Sequence, residues 1–184
     1  MVLPGHLAGG YLATKVLLSL TAWTVSPDQT TAILIIGTLA GEAPDSDLLR
    51  FYLVHKLKLG NDQSHRDYFS HSPLVWLIIS LLIVTLGSIT GSDFLQLTGW
   101  TILVGSWSHF LLDSIEYGIR WLWPFSKKRF ALYHRPEEER STKGAGTISY
   151  YWQFIKNEYV KRISFYCEIA IVIVAIIVVL ESYP

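Results

Sequence analysis

Two runs of this chain leave it little choice of surroundings. Pro73–Thr90 (PLVWLIISLLIVTLGSIT) carries no charge, and Ile163–Leu180 (ISFYCEIAIVIVAIIVVL) carries one, Glu168. Each is 18 residues long, and about 20 helical residues cross the roughly 30 Å hydrocarbon layer of a membrane. Charged residues make up 16% of the chain, against about a quarter in a soluble domain. The shortfall points to lipid as the surrounding medium. Lys plus Arg equals Asp plus Glu, so no polycation signal suggests nucleic acid. A length of 184 residues suits one domain, and the sequence predicts a single all-α, membrane-embedded bundle over 1–184.

Three further segments are apolar but less uniform. Residues 6–25 are interrupted by Lys15, residues 30–43 form a short run, and residues 94–117 are apolar until His109 and Asp113. With helices over 73–90 and 160–180, the sequence predicts five membrane helices, the second short. Ser26-Pro27-Asp28 and Gly91-Ser92-Asp93 read as turns that close two hairpins. The longer connections, about 44–72 and 118–159, read as loops. Leu48–Leu59 (LLRFYLVHKLKL), which contains His55, has the mixture expected of an amphipathic helix lying on the membrane. Trp121–Phe130 (WLWPFSKKRF) has the composition of an interfacial aromatic and basic belt. The lone Cys167 excludes an intrachain disulfide and a CxxC metal site. The segment before His6 lacks a basic n-region and is not expected to be a cleaved signal peptide.

Counting helices up and down places His6, Asp45, Asp47, His65, His71, His109 and Asp113 at one membrane boundary. Every Lys and Arg except Lys15 falls on that side. By the positive-inside rule it is the cytoplasmic side of a cell inner membrane. The N-terminus is then inside and the C-terminus outside.

Several of these residues have chemistry to offer. His109 and Asp113 are four apart, one above the other on a helix. They can share one ion or bridge two, or form a hydrogen-bonded pair that joins helices. Asp45 and Asp47 can point the same way, where a cation would relieve their repulsion; either can instead cap a following helix. In Ser64–Ser72 (SHRDYFSHS), His65 and His71 reach different positions, and neutral imidazole is a common metal ligand. Arg66 can hold a phosphate bidentately, whereas Ser70 and Ser72 can cap the next helix. Glu168, about two turns into the last helix, needs a polar partner. His134 and Glu138 repeat the four-residue spacing, although Pro136 lies between them and Glu137–Arg140 also reads as a solvated face. Seven ligands exceed what one tetrahedral ion needs. Two neighbouring ions suit phosphate-ester hydrolysis, because they generate hydroxide and stabilise the attacking and leaving oxygens.

Gly5-His6, Pro44-Asp45-Ser46-Asp47, His65-Arg66 through His71-Ser72, Ser108-His109 through Asp113 and Trp123-Pro124-Phe125 occur in this order. The pattern resembles the YdjM-like family of bacterial inner-membrane proteins, described as metal-dependent hydrolases. That family in turn resembles the zinc-dependent phospholipase C and P1 nuclease group. Their HxxxD helix is similar to His109 and Asp113, and their HxxxE to His134 and Glu138. The chain lacks the group's N-terminal Trp, and Ile119 stands where a further histidine is expected. The resemblance therefore implies two ions rather than three.

The sequence thus predicts a metal-dependent phosphoesterase acting on a phospholipid or lipid-linked phosphate. Its metal ligands would be His6, Asp45, Asp47, His65, His71, His109 and Asp113, with His134 and Glu138 as further candidates. Arg66, Asp67 and Asp113 are the candidate catalytic residues. Zinc is favoured by the histidines, with Mn²⁺ as the alternative. A metal transporter or sensor, or a protein whose ion merely staples helices, are the rival readings.

Overall fold

The computed structural model of the protein describes residues 3–23, 25–48, 66, 68–133 and 147–182. They form six α-helices: α1 (Leu3–Leu20), α2 (Pro27–Glu42), α3 (Pro73–Thr90), α4 (Asp93–Asp113), α5 (Thr147–Asn157) and α6 (Ile163–Ser182). Short 3-10 turns occupy Ala43–Ser46, Phe69–His71 and Tyr159–Lys161. No strand is present among the described residues; Ile119 and Phe130 make an isolated antiparallel bridge.

Local signals account for the helix ends. Ser26 and Gln29 form a reciprocal capping box at the start of α2, with Pro27 in the first turn. There the missing proline N–H costs nothing. Gly91 closes α3 at φ 67° and donates its N–H back to the last carbonyls, a conformation that glycine adopts without a Cβ penalty. Ser92 then caps α4 by accepting the N–H of Leu95 at 3.3 Å.

Some boundaries differ from expectation. α4 stops at Asp113 rather than 117, because the chain folds back on itself. Leu132 and Tyr133 donate to the carbonyls of Ser114 and Ile115 at 2.8 and 2.9 Å, so those carbonyls do not continue the helix. The predicted loop over 118–159 contains α5. α1 ends five residues earlier than predicted and α6 starts at Ile163. The predicted surface helix over Leu48–Leu59 lies outside the described residues apart from Leu48.

Helices α1, α2 and α4 pack backbone against backbone. A Cβ on Gly10 or Gly105 would collide with the carbonyl oxygen of Gly37, and one on Gly41 with that of His6. Such small-residue contacts are how helices associate where lipid removes the hydrophobic drive. The contacts also fix direction. His6 and Gly10 meet the end of α2, Gly37–Gly41 run alongside Thr101–His109, and Gly87 of α3 meets Gln96 of α4. α1 is thus antiparallel to α2 and α4, and α3 is antiparallel to α4. α6 runs parallel to α1, since Gly5 meets Glu168 and Lys15 donates to Ser182 Oγ at 3.0 Å. The start of α1, end of α2, start of α3, end of α4 and start of α6 therefore share one level.

α3 and α6 are long and apolar enough to cross a membrane, and only 17% of each apolar window is buried inside the fold. A soluble core helix would be mostly covered, so these surfaces need lipid. The packing predicts that Gly37→Leu lowers stability in detergent or lipid by roughly 1–3 kcal/mol or more through overpacking. Gly91→Ala, whose Cβ would meet nothing within 4 Å, loses only the left-handed cap, about 1 kcal/mol. Thermal unfolding of the two variants checks the order.

Candidate metal centre

Four segments deliver side chains to that level. His6 comes from the first turn of α1, and Asp45 and Asp47 from the 3-10 turn after α2 and its cap. Pro44 lies in the first positions of this turn and has no N–H with which to continue α2. Arg66 and His71 precede α3, while His109 and Asp113 occupy the last turn of α4. His6, Asp47, His71, His109 and Asp113 are all buried.

An outer ring of hydrogen bonds holds these groups at ordinary lengths. Arg66 Nε donates to Asp113 Oδ2 at 2.8 Å, Ser70 Oγ donates to Asp47 Oδ2 at 2.9 Å, and His109 Nδ1 meets the Gly41 carbonyl at 2.9 Å. A carbonyl only accepts, so Nδ1 of His109 carries the proton and Nε2 keeps its lone pair. This is the arrangement that outer-shell carbonyls impose on metal-ligating histidines.

The inner distances are longer. His109 Nε2 and His71 Nε2 are 3.4 Å apart, and His6 Nε2 is 3.3 Å from Asp113 Oδ1. His71 Nδ1 is 3.4 Å from Asp47 Oδ2 and 3.7 Å from Asp45 Oδ1. His71 Nε2 is 3.6 Å from Asp113 Oδ2, and His109 Nε2 is 3.8 Å from Asp45 Oδ1. Hydrogen bonds would close to about 2.7–3.2 Å. Two ligands on a tetrahedral ion with bonds of roughly 2.0–2.1 Å stand about 3.3 Å apart. The inner spacing matches ligand edges better than direct bonds. Neither ring nitrogen of His6 makes a hydrogen bond among the described residues, and Asp47 Oδ1 is buried in the same condition. The residues present therefore fit a divalent ion. Three triads each bring their ligand atoms within 4.8 Å: His6, Asp45 and His109; His71, His109 and Asp113; and Asp45, Asp47 and His71.

The electrostatics agree with the geometry. Burial opposes the charge of Arg66, but the Asp113 carboxylate outweighs it and raises the guanidinium pKa above its ordinary value. Burial also lowers His71, yet its contacts with Asp113 and Asp47 win and leave its pKa above the usual range. His6 stacks on His109 with ring centroids 3.8 Å apart.

Of the expected residues, His65, Asp67, His134 and Glu138 lie outside the described set. The others converge within the triads, except Arg66, which touches the cluster through Asp113. The helix-capping reading of Ser72 fails: it sits at the cap of α3 with no cap bond, and Ser70 serves Asp47 instead. Glu168 does not join the triads either. It accepts the Gly5 N–H at 3.0 Å and the Tyr159 hydroxyl, so it anchors the start of α1 just before His6. Sequence reasoning missed Glu116, which accepts the backbone N–H of Ser164 at 3.2 Å and its hydroxyl. It also missed the Gly41 carbonyl. No residue type announces a backbone acceptor.

Metal binding must displace a proton from His71, whose pKa is raised. Affinity is expected to rise with pH through the range in which His71 loses that proton, approaching tenfold per unit, and then to flatten. A competitive chelator titration across that range measures the slope. His71→Ala should bind more weakly and lose most of the slope.

Comparison with known proteins places this architecture. The chain is 34% identical over 101 residues to inner membrane protein YbcI of Escherichia coli (strain K12). That match covers 53% of this chain and 57% of YbcI, so it spans little more than half of the relative's length. No solved structure matches. A family model described as YdjM inner membrane protein matches residues 1–183. Near-complete coverage of that pattern, together with two lipid-ready helices, makes this chain a member of the YdjM inner membrane protein family.

Proposed function

We propose that the protein is a multi-pass, metal-dependent hydrolase of the inner membrane, a phosphoesterase acting on a phospholipid or lipid-linked phosphate. The observation that carries this reading is the contrast between the outer bonds at 2.8–2.9 Å and the inner edges at 3.3–3.8 Å. His6, Asp45, Asp47, His71, His109 and Asp113 would hold the metal, with His65 as a further ligand and His134 and Glu138 as outer candidates. Zinc suits the imidazoles, and Mn²⁺ is the alternative. Such ions supply an activated water and neutralise the charge that develops on phosphorus-bound oxygens.

Charge supports an anionic substrate. Asp45, Asp47 and Asp113 contribute three negative charges and Arg66 returns one positive charge. Two divalent ions would convert this net −2 into net +2, which attracts a phosphate. Arg66 would orient Asp113 through Nε and meet the substrate's non-bridging oxygens, with Asp67 as a candidate partner in proton transfer.

In this reading α1, α2 and α4 span the bilayer beside α3 and α6, giving five crossings. The common level of the helix ends lies at headgroup depth. The abundance of Lys and Arg in the connections on that side makes it cytoplasmic, with the N-terminus inside and the C-terminus outside. Lys127-Lys128-Arg129 would draw anionic lipid toward it.

Purified protein should contain at least one divalent ion per chain, with His109→Ala retaining less than half of it. Wild-type protein should hydrolyse a phosphomonoester or phosphodiester lipid, and EDTA should abolish turnover. His109→Ala should lower the rate at least 100-fold. Metal content by mass spectrometry and phosphate release on a lipid panel measure both. Metal retained without turnover would favour a structural ion or metal handling, and no metal under replete conditions would remove the reading.

A further inference from the structure

Four residues beyond Asp113, Tyr117 lies against two cations. The Arg66 guanidinium carbon is 4.4 Å from its ring centroid and that of Arg162 is 5.7 Å away. Arg162 also lies 5.4 Å from the Phe154 ring. Burial pushes the Tyr117 phenol up to about 12, so the ring stays neutral and supplies no countercharge. An aromatic face attracts a cation, but two guanidinium groups on one ring repel each other.

Arg162 has little else to satisfy it. Its side chain is 19% exposed, and its Nη2 reaches Glu158 Oε2 only at 3.5 Å. Its Nε is buried with no hydrogen-bond partner among the described residues. Donors buried without an acceptor are costly to a fold. Planar guanidinium forks are the groups best matched to a phosphate. Arg162 immediately precedes α6, whose first turns carry Glu168 against the start of α1. It therefore stands at the same level as the candidate ligands, on the side where Arg66 contacts Asp113.

We propose that Arg162 and Arg66, both drawn to the Tyr117 ring, form a two-guanidinium clamp for a phosphate group, carried by a lipid or a soluble ester, beside the candidate metal centre. The proposal deepens the phosphoesterase reading and rests on it for the nature of the group held. Arg66 bridges the clamp to Asp113, and Arg162 supplies charge from the α6 side. Phe154 and Tyr117 both lie close to the Arg162 guanidinium, and Glu158 engages it when no anion is present. The alternative role for Arg162 is a brace between aromatic rings with no ligand.

The test uses the full chain, metal-loaded, in phosphatidylcholine nanodiscs, with inorganic phosphate as the probe. Calorimetric titration is run on wild type, Arg162→Gln, Arg162→Lys and Glu158→Gln, with metal content measured on each. The clamp predicts that Arg162→Gln binds phosphate at least tenfold more weakly with its metal content unchanged. Arg162→Lys falls between, and Glu158→Gln binds as tightly as wild type or tighter. Wild-type affinity in Arg162→Gln would overturn the proposal. So would equal loss in Glu158→Gln and Arg162→Gln, since a brace needs its carboxylate and a clamp does not. Discs containing phosphatidic acid separate the sources. Competition with inorganic phosphate assigns the clamp to a lipid head group, and phosphate binding without competition assigns it to a soluble ester. Metal-loaded wild type that binds phosphate through Arg162 but hydrolyses nothing would end the hydrolase reading and leave the clamp standing. Wild type that binds no phosphate would end the clamp, whatever its turnover.

Discussion

The carboxylate of Asp113 is buried at the end of α4, and a buried charge survives only when other groups surround it. Arg66 reaches it from before α3, His6 from α1, and His71 from the turn into α3. These partners come from the start of α1 and from the stretch before α3, so meeting the needs of one side chain requires separate helix ends to arrive at the same depth. The glycine contacts among α1, α2 and α4 make that possible. Bulkier side chains there would move the helices apart and separate His6 from Asp113 and His109 from the Gly41 carbonyl.

Location follows from the same physics. Ionisable groups at the middle of a bilayer are expensive, whereas helix ends lie near water and leave room for connecting turns. In the proposed five-crossing arrangement, Lys15 obeys this rule. Although it sits within α1, its amine extends to Ser182 at the far end of α6. Glu168 obeys it at the other end by accepting the free N–H of Gly5. The first turn of α1 is thus fixed by a carboxylate on one side of His6 and stacked on His109 on the other.

Much of this was legible in the sequence because lipid permits few solutions. The apolar runs of α3 and α6 are long enough to read directly as spanning helices, and the Ser26 and Gly91 turns carry their own chemistry. Counting helices was then enough to gather His6, Asp45, Asp47, His71, His109 and Asp113. Other features were hidden for physical reasons. The end of α4 depends on bonds from Leu132 and Tyr133, some twenty residues away, which no local pattern encodes. The aromatic segment forming α5 reads as loop because its apolar residues are interspersed with polar ones. The partner of Glu168 is a backbone amide, and the ring of Tyr117 gains meaning only when Arg66 and Arg162 are both near it. His65, Asp67, His134 and Glu138, all chosen from sequence, lie outside the described residues, so their roles rest on spacing and resemblance.

The central claim is that imidazoles and carboxylates from separate helices hold metal at one membrane boundary. X-ray absorption at the metal edge, on zinc-loaded protein in lipid nanodiscs, examines that coordination directly. The account predicts a mixed nitrogen and oxygen shell at about 2.0–2.1 Å with the outer scattering of imidazole rings. A two-ion site would add a metal–metal distance near 3.5–4 Å. An oxygen-only shell without imidazole scattering would contradict it, because the ion would then be bound somewhere other than among His6, His71 and His109.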